Sequence, residues 1–307
     1  MSFEQGKLHR SSLADQFCVG CDDCMRPHLI KMKTAIVLLA LLRMTVASVA
    51  KQNACCGEAI ESFEEKMINL IAEFKENCHQ PPPVASSCKE LYNKNTSLKS
   101  GLYPLLLGSE RIPVYCHMGD FGCGTGGWTT VMKIDGRKST FQYDSTLWSN
   151  QTAFNRTGGM TGFNQEETKL PSYWTTNFSK ICLGMKIGNQ INFVVIDKQA
   201  RSLYSLIADG MYRPTSLQRS KWKMLVGPTA SLQYHCNKQG FNVVPAPTTW
   251  IKVRIGFVAN NEYHCSTCDS FIGFGSVVFS LTCGNGAAYG PDNGRRHTAA
   301  MGYILVQ

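Results

Sequence analysis

Short apolar runs separated by Gly, Asn and Pro dominate the chain from Ser87 onward. Several have the length and the β-branched content of strands: GLYPLLLG, IPVYC, WTTVMKI, INFVVID, WIKVRIGFVA and MGYILVQ. Helical periodicity is confined to short stretches such as 198–207. The pattern predicts an α+β domain over residues 88–307 that is rich in loops, with antiparallel strands and disulfide staples.

The stretch at 114–136, VYCHMGDFGCGTGGWTTVMKIDG, predicts a β-hairpin. Its first run alternates as a strand does, and its return run places β-branched residues beside Trp128. The glycine-rich stretch between them supplies the turn, because glycine adopts positive φ freely. We therefore expect Trp128 to be a core residue with a structural role.

An amphipathic helix is predicted before this domain. Its apolar residues recur at alternating intervals of three and four, as in the a/d seam of a heptad repeat: Ile60, Phe63, Met67, Leu70 and Phe74. A helix this short is marginal in isolation. We expect residues 51–80 to form a coiled-coil stalk that assembles a homo-oligomer, and residues 81–87 to form a Pro-rich linker. The alternative is a helix packed on its own domain.

Three cysteines flank the apolar seam of the predicted stalk, namely Cys55, Cys56 and Cys78. Because the number is odd, at least one thiol lacks a partner within the stalk. These cysteines are therefore candidates for interchain disulfides.

Residues 1–50 have the layout of a leader. From Met32, a basic edge, an apolar core at 35–42 and small residues at 48–50 form the three parts of a secretory signal peptide, over residues 32–50. The apolar core is shorter than the ~20 residues that span a bilayer. We expect cleavage after Ala50 and a secreted protein with no membrane attachment; a type II membrane anchor is the alternative.

Charge, cysteine content and motifs narrow the function further. The net charge of +9 comes from scattered basic residues, whereas nucleic-acid binders concentrate theirs, so no nucleic-acid partner is expected. Of the fourteen cysteines, eleven follow the predicted signal peptide, which indicates disulfides. The sequence holds no G-x-S-x-G, H-E-x-x-H or P-loop motif, which favours a non-enzymatic protein.

N-glycosylation is predicted at four sequons: Asn95, Asn150, Asn155 and Asn177.

The predicted domain resembles fibrinogen C-terminal-like domains. This likeness rests on SCKELYNKN, SGLY, the strand that ends in CHM, and GGWTTVMKIDG. Farther on, NNEYHCSTCDSFIGFG resembles the intelectin branch of that family, whose members are lectins. The segments ETKLP, FSKICLGMKIG and SLYSLIADG are similar to those of fibrinogen-domain proteins from the skeletal organic matrix of stony corals.

The resemblance implies a disulfide between Cys88 and Cys116. Six further cysteines lie between residues 117 and 283, and their pairing stays open. Zinc ligation by HCSTC together with Cys283 is one alternative, but an oxidising compartment favours disulfides.

The intelectin-like segment also implies a calcium site that holds the hydroxyls of a sugar. Asn260, Glu262 and Asn285 are the candidate ligands. The set is depleted, because Tyr263 replaces a family histidine and Val277 falls near a family acidic ligand. Calcium needs six to eight oxygen ligands, so Asp269, Asp292 or backbone carbonyls would have to complete the shell.

These features predict a secreted, non-enzymatic binding glycoprotein of an extracellular matrix. A role in a skeletal organic matrix is implied by resemblance alone. Its expected partners are glycans, matrix polymers or proteins, for which the apolar insertion at 277–279 offers one surface. The alternative is a calcium-dependent lectin that recognises glycans in innate defence.

Overall fold

Thirteen strands, paired in two antiparallel sheets, dominate the regular secondary structure of the computed structural model, which describes residues 65–66, 68–69, 84–247 and 249–307. In chain order they are β1 (Gly101–Leu107), β2 (Glu110–Met118), β3 (Gly127–Asp135), β4 (Thr168–Lys169), β5 (Phe178–Ile187), β6 (Gln190–Ala200), β7 (Arg213–Pro214), β8 (His235–Val243), β9 (Val253–Asn260), β10 (Ser270–Ser276), β11 (Cys283–Ala287), β12 (Arg296–Ala299) and β13 (Met301–Val306). The first sheet has the order β1-β2-β3-β13-β5-β6, with β4 beside β3, and the second has the order β12-β11-β10-β9-β8-β7.

The helices of the described region are short. They are α1 (Cys88–Lys94), α2 (Ser172–Thr175), α3 (Leu203–Ile207) and α4 (Arg219–Met224), with 3-10 turns at Thr146–Trp148, Arg156–Met160 and Val278–Ser280. The domain is therefore β-rich, and the predicted α+β class overstates its helical share. Residues 198–200, expected to be helical, end β6 instead, because Ser202 and Ser205 form a capping box that starts α3 at Leu203.

The predicted hairpin around Trp128 forms from β2 and β3, with His117 opposite Trp128. In the turn, the carboxylate of Asp120 accepts hydrogen bonds from the backbone N–H groups of Gly122 and Gly124 at 2.8 and 3.1 Å. Trp128 is fully buried, and its indole N–H donates to the carbonyl of Gly124 at 3.1 Å. The aromatic ring thus has the structural role expected for it.

One hydrophobic core is shared by the two sheets. Every residue of β9 is buried. This strand lies between β8 and β10, and a strand that is covered on both faces of its sheet is buried along its whole length. The core cluster takes apolar side chains from both sheets, including Val131, Ile181 and Ile304 from the first and Phe241, Ile255 and Ile272 from the second.

Three disulfides staple the domain: Cys88–Cys116, Cys123–Cys182 and Cys236–Cys265. The first is the pairing that the family resemblance implies. Cys268 and Cys283, by contrast, are buried free thiols. The expectation that they too form disulfides is therefore wrong for this structure, because Cys268 and Cys283 are buried in different hydrophobic clusters and no fourth pair forms among the described residues.

The signal peptide at 32–50, the cysteines Cys55, Cys56 and Cys78, and residues 81–83 of the predicted linker lie outside the described residues. Within the stalk, the four described residues at 65–66 and 68–69 are helical. Pro82–Gln307 forms one compact unit. Its contacts begin before Cys88, since Ala85 is fully buried and its carbonyl accepts from the backbone of Leu106 at 2.8 Å.

Candidate functional site

Three exposed tyrosines lie at the loop end of the second sheet. Tyr263 is 87% exposed, Tyr289 62% and Tyr234 58%. Tyr234 immediately precedes β8, Tyr263 lies between β9 and β10, and Tyr289 follows β11. His235 stacks on Tyr263 with ring centroids 4.0 Å apart. We call Tyr234, His235, Tyr263 and Tyr289 the aromatic surface.

The buried side chain of Gln233 connects the three segments that carry these rings. Its amide nitrogen donates to the side-chain oxygen of Asn261 at 3.2 Å and to the carbonyl of Tyr289 at 3.0 Å. Its amide oxygen accepts from the backbone of Asp269 at 3.0 Å. Because one fully buried residue bonds all three segments, the aromatic surface has a rigid base.

Cations flank the aromatic surface. The guanidinium of Arg219 lies over the ring of Tyr234 at 5.6 Å, and that of Arg295 lies over Tyr289 at 5.8 Å. The guanidinium of Arg219 already donates to the carbonyls of Leu232 and Gln233 and to Asp292, whereas that of Arg295 is exposed and makes no hydrogen bond to another described residue. The Arg295 guanidinium is therefore available to a ligand. Residues 84–307 hold 22 Lys and Arg against 12 Asp and Glu, so the net charge of the domain favours an anionic partner.

The carboxylate of Asp292 is the centre of an ion-pair cluster next to the aromatic surface. It accepts from Arg219 and Lys223, both at 2.7 Å, and from the backbone of Leu232 at 3.0 Å. Burial opposes its ionisation, but the hydrogen bonds from Lys223, Leu232 and Arg219 outweigh burial and lower the pKa of Asp292. With two cations already bound to it, this carboxylate does not add to a metal shell.

Asn260 and Glu262, the first two candidate calcium ligands, bond within their own loop. Asn260 is fully buried, and its amide nitrogen donates to the carbonyl of His264 at 2.6 Å and to the hydroxyl of Thr267 at 3.1 Å. Its amide oxygen accepts from the backbone of Asn261 at 2.9 Å. Glu262 is exposed and accepts from the hydroxyl of Thr267 at 3.1 Å.

Asn285, the third candidate, is a fully buried residue of β11. Its amide nitrogen donates to the carbonyls of Ser231 and Phe271, both at 2.8 Å, and its oxygen accepts from the backbone of Ser231 at 2.9 Å. As they lie, the three side chains do not fit a calcium ion, because both amides are satisfied by protein groups. Nor do three His, Cys, Asp or Glu residues cluster as metal ligands anywhere in the described region.

A disulfide pins the Tyr263 loop to β8. Cys236 bonds Cys265, and Cys236 and Asn237 have φ of 66° and 55° where the pairing of β8 with β9 shifts register. Because Cys265 is oxidised, the alternative zinc site in HCSTC loses one of its thiolate ligands. The disulfide therefore fixes the position of the Tyr263 loop, between β9 and β10, relative to the start of β8.

The apolar insertion at 277–279 is only partly a surface feature. Val277 is 39% exposed, whereas Val278 is buried. The ring of Phe279 contacts that of Trp250, which is 49% exposed, at a centroid distance of 5.2 Å. Trp250 and Val277 thus form a second exposed apolar region, on segments other than those of the aromatic surface.

The four sequons differ in the state of the amide nitrogen that would carry sugar. The side-chain nitrogen of Asn155 donates to the carbonyl of Glu167 at 2.8 Å. The side chains of Asn95 and Asn150 are bonded through their oxygens, to Ser97 and to Lys169 respectively. Asn177 is exposed. Three of the acceptor nitrogens therefore have no bond to another described residue, and that of Asn155 does.

Sequence reasoning missed the aromatic surface. Its tyrosines are separated by 29 and 26 positions and lie in three different loops. No periodicity or motif links them. Their segments come together only because β8, β9, β10 and β11 lie side by side in one sheet. The usable signals were Tyr234 and Tyr263 between polar residues and Tyr289 next to a Gly-Pro pair, and such sequences are common in surface loops.

No described helix is long and apolar enough to cross a bilayer. No protein-family model matches the chain, and no curated protein matches it. Among solved structures, the fibrinogen-like globe domain of human ANGPTL6 aligns to it with 14% identity and a TM-score of 0.35, over 74% of this chain and 98% of that chain. Similarity at this level does not assign the chain to a family.

Proposed function

We propose that this chain is a secreted, non-enzymatic glycoprotein with a fibrinogen C-terminal-like domain, and that its aromatic surface binds an anionic polysaccharide of an extracellular matrix. A stalk that assembles several copies is part of the proposal. So is the role in a skeletal organic matrix, which the coral-like segments support. The observation that carries the binding role is the exposure of Tyr234, Tyr263 and Tyr289 around one buried amide.

The chemistry of the aromatic surface favours a sugar. Pyranose rings present flat C–H faces that stack on tyrosine, while the phenol and neighbouring amides bond sugar hydroxyls. Tyr263 is 87% exposed, so its ring contributes almost no buried apolar area to the core of the protein. Rings held in place before binding lose little conformational entropy when they meet a ligand.

The charge favours an acidic sugar. Arg295 holds an exposed guanidinium beside the ring of Tyr289, where it can bond a sulfate or a carboxylate. Arg219 lies over the ring of Tyr234 with its own donors bonded to protein oxygens. A basic protein also attracts a polyanion over distance, an effect that salt weakens. Acidic surfaces are the ones that attract mineral cations, so contact through a polymer suits this protein better than direct contact with mineral.

Several copies on one stalk would strengthen weak individual contacts. Linking binding modules turns later contacts into intramolecular ones, so avidity exceeds single-site affinity when the ligand repeats. A polysaccharide is such a repeating ligand. The oligomer and the polymer are thus consistent parts of one proposal.

The experiment is a glycan array with the secreted protein, expressed from the full sequence, carrying sulfated, carboxylated and neutral polysaccharides. The array is run with calcium and with a chelator. Binding to acidic polymers under both conditions, reduced by salt, supports the proposal. Binding only with calcium favours the calcium-dependent lectin, and retention of no polysaccharide overturns the binding role.

A further inference from the structure

Three sulfur atoms come together beside the aromatic surface. Cys236 and Cys265 form a disulfide, and the thiol sulfur of Cys268 lies 3.6 Å from the sulfur of Cys236. That thiol also donates to the carbonyl of Cys265 at 3.3 Å. Cys268 is fully buried, while Cys265 is partly exposed. A thiol in van der Waals contact with a disulfide sulfur is placed where exchange begins.

Cys283 provides the contrast. It is also a buried free thiol, but it lies in the main hydrophobic core among side chains of both sheets. The three disulfides of the described region do not include it, and Cys268 is the free thiol in contact with one of them. Burial alone therefore does not account for the position of Cys268.

We propose that Cys236, Cys265 and Cys268 form a thiol–disulfide exchange site that can link this protein covalently to a disulfide-bearing partner. In the first step, the thiolate of Cys268 attacks the sulfur of Cys236. The Cys236–Cys268 bond forms, the Cys236–Cys265 bond breaks, and Cys265 leaves as a thiolate. This step is an isomerisation, with no net oxidation or reduction.

In the second step, the thiolate of Cys265 attacks a disulfide supplied by the partner. A mixed disulfide forms at Cys265, and half of the partner's disulfide leaves as a thiolate that takes up a proton. Electrons balance, because one disulfide is consumed and one is formed. Cys265 is partly exposed and is the free thiolate after the first step, so it is the sulfur that a partner's disulfide can reach.

The exchange also alters the neighbouring loop. Cys265 and Cys268 are three residues apart and both follow Tyr263. Transfer of the crosslink from Cys265 to Cys268 lengthens by three residues the segment between the disulfide and Tyr263. The loop that carries Tyr263 is then less constrained, so the stacking of Tyr263 on His235 is expected to weaken.

The surroundings of Cys268 hold the exchange in check. Burial raises the pKa of its thiol to about 12, Asp269 and Glu262 act in the same direction, and Lys238 opposes them. At neutral pH the thiol is therefore protonated, and only the thiolate attacks. Below that pKa, each added pH unit raises the thiolate fraction about tenfold, so the exchange is expected to accelerate with pH.

The test treats the full secreted chain with glutathione disulfide at pH 7, 8 and 9, followed by acid quenching and peptide mapping by mass spectrometry. We expect Cys265 to become glutathionylated in molecules that carry a Cys236–Cys268 bond, with a rate that rises about 100-fold from pH 7 to 9. Mapping assigns each modified peptide, so cysteines elsewhere in the chain do not confuse the result.

Two variants complete the test. Cys268→Ser should abolish glutathionylation of Cys265, whereas Cys283→Ser, which removes the other buried thiol, should leave it unchanged. Cys268→Ala serves as a second variant if the serine lowers the melting temperature. Equal glutathionylation of Cys265 in the wild type and in both Cys268 variants would overturn the proposal. So would glutathione on Cys268 with the Cys236–Cys265 bond intact, or an unmodified set of all three at pH 9.

Discussion

His117 stacks on Phe163, with ring centroids 4.0 Å apart and ring planes 22° from parallel. His117 is 6% exposed, and Phe121 contacts it as well. Burial lowers the pKa of His117 to about 3, and the nearby charge of Lys133 acts in the same direction. A neutral histidine in an aromatic cluster makes the stability of the fold depend on pH.

We expect stability to fall as pH drops from 6.5 toward 3. Over that interval the unfolded chain takes up a proton at His117 and the folded chain does not, so acid favours unfolding. Between pH 7 and pH 4, the group should contribute about 3 kcal/mol of this loss. Urea unfolding of His117→Phe at pH 7 and pH 4 should show a smaller loss between the two pH values than the wild type. An exposed control, His264→Phe, should keep the wild-type loss; equal losses in all three proteins would refute this role of His117.

Gly127 should not tolerate a methyl group. A Cβ at this position would collide with the backbone carbonyl of Cys88, and neither backbone can move freely because Cys88 is bonded to Cys116. Gly127→Ala is expected to cost about 3 kcal/mol by overpacking. Gly119→Ala is the control, since Gly119 has φ of 79° but open space around it, and it should cost only about 1 kcal/mol. Chemical denaturation measures both, and a Gly127→Ala cost no larger than that of the control would contradict the packing argument.

Lys133 has a structural role as a buried cation. Its ammonium donates to the carbonyl and hydroxyl of Thr161 and to the carbonyl of Gly162, all at 3.0 Å, and to the side chain of Asn164 at 2.7 Å. Lys133→Met would leave these oxygens buried without a donor. We expect a loss of about 3 kcal/mol in the free energy of unfolding. The exposed control Lys180→Met should lie within about 0.5 kcal/mol of the wild type, and a similar value for Lys133→Met would rule out this role.

Much of the fold could be predicted from local pattern. The hairpin of β2 and β3 follows from alternation, a glycine-rich turn and a buried Trp, all of which lie within 23 residues of sequence. The buried lysines could not be predicted, because a Lys in a strand normally indicates an exposed face. Lys133 and Lys169 are both at most 1% exposed, and the oxygens that bond them come from loops 19 to 31 residues away.

The candidate site was less accessible to sequence reasoning. Asn260 and Asn285 were singled out as calcium ligands because they fall at ligand positions of the intelectin-like segment, but in the structure each is a buried amide that bonds neighbouring backbone. Whether a buried Asn binds metal or protein depends on its tertiary neighbours. Cys268 likewise remains a free thiol because of which cysteines the fold brings together. Neither the number nor the spacing of the cysteines predicts that pairing.

The sequons should differ in occupancy. Because the acceptor nitrogen of Asn155 donates inward to the carbonyl of Glu167, a glycan there would break that bond. We expect full glycosylation at Asn95 and Asn177 and little at Asn155. Glycopeptide mass spectrometry of the secreted protein measures the occupancy of each site. Equal occupancy at Asn155 and Asn177 would show that glycosylation precedes formation of the Asn155 bond and overrides it.

Glu262 distinguishes the two binding modes. In a calcium site its carboxylate is a ligand, so Glu262→Gln should abolish binding. Beside the aromatic surface it is an exposed negative charge, so the same change should strengthen binding of an acidic polysaccharide about twofold. The affinity of the variant for a sulfated polymer, measured beside the wild type with calcium present, tests this expectation. Lost binding would favour the calcium mode.

The most direct measurement of the central claim is the affinity of wild-type protein, Tyr263→Ala and Trp250→Ala for one sulfated polysaccharide in a chelator. Tyr263 belongs to the aromatic surface, and Trp250 is an exposed aromatic residue of the other apolar region. Loss of a stacking ring is expected to weaken binding about tenfold or more in Tyr263→Ala, with Trp250→Ala equal to the wild type. Unchanged binding in Tyr263→Ala, or a loss confined to Trp250→Ala, would contradict the account.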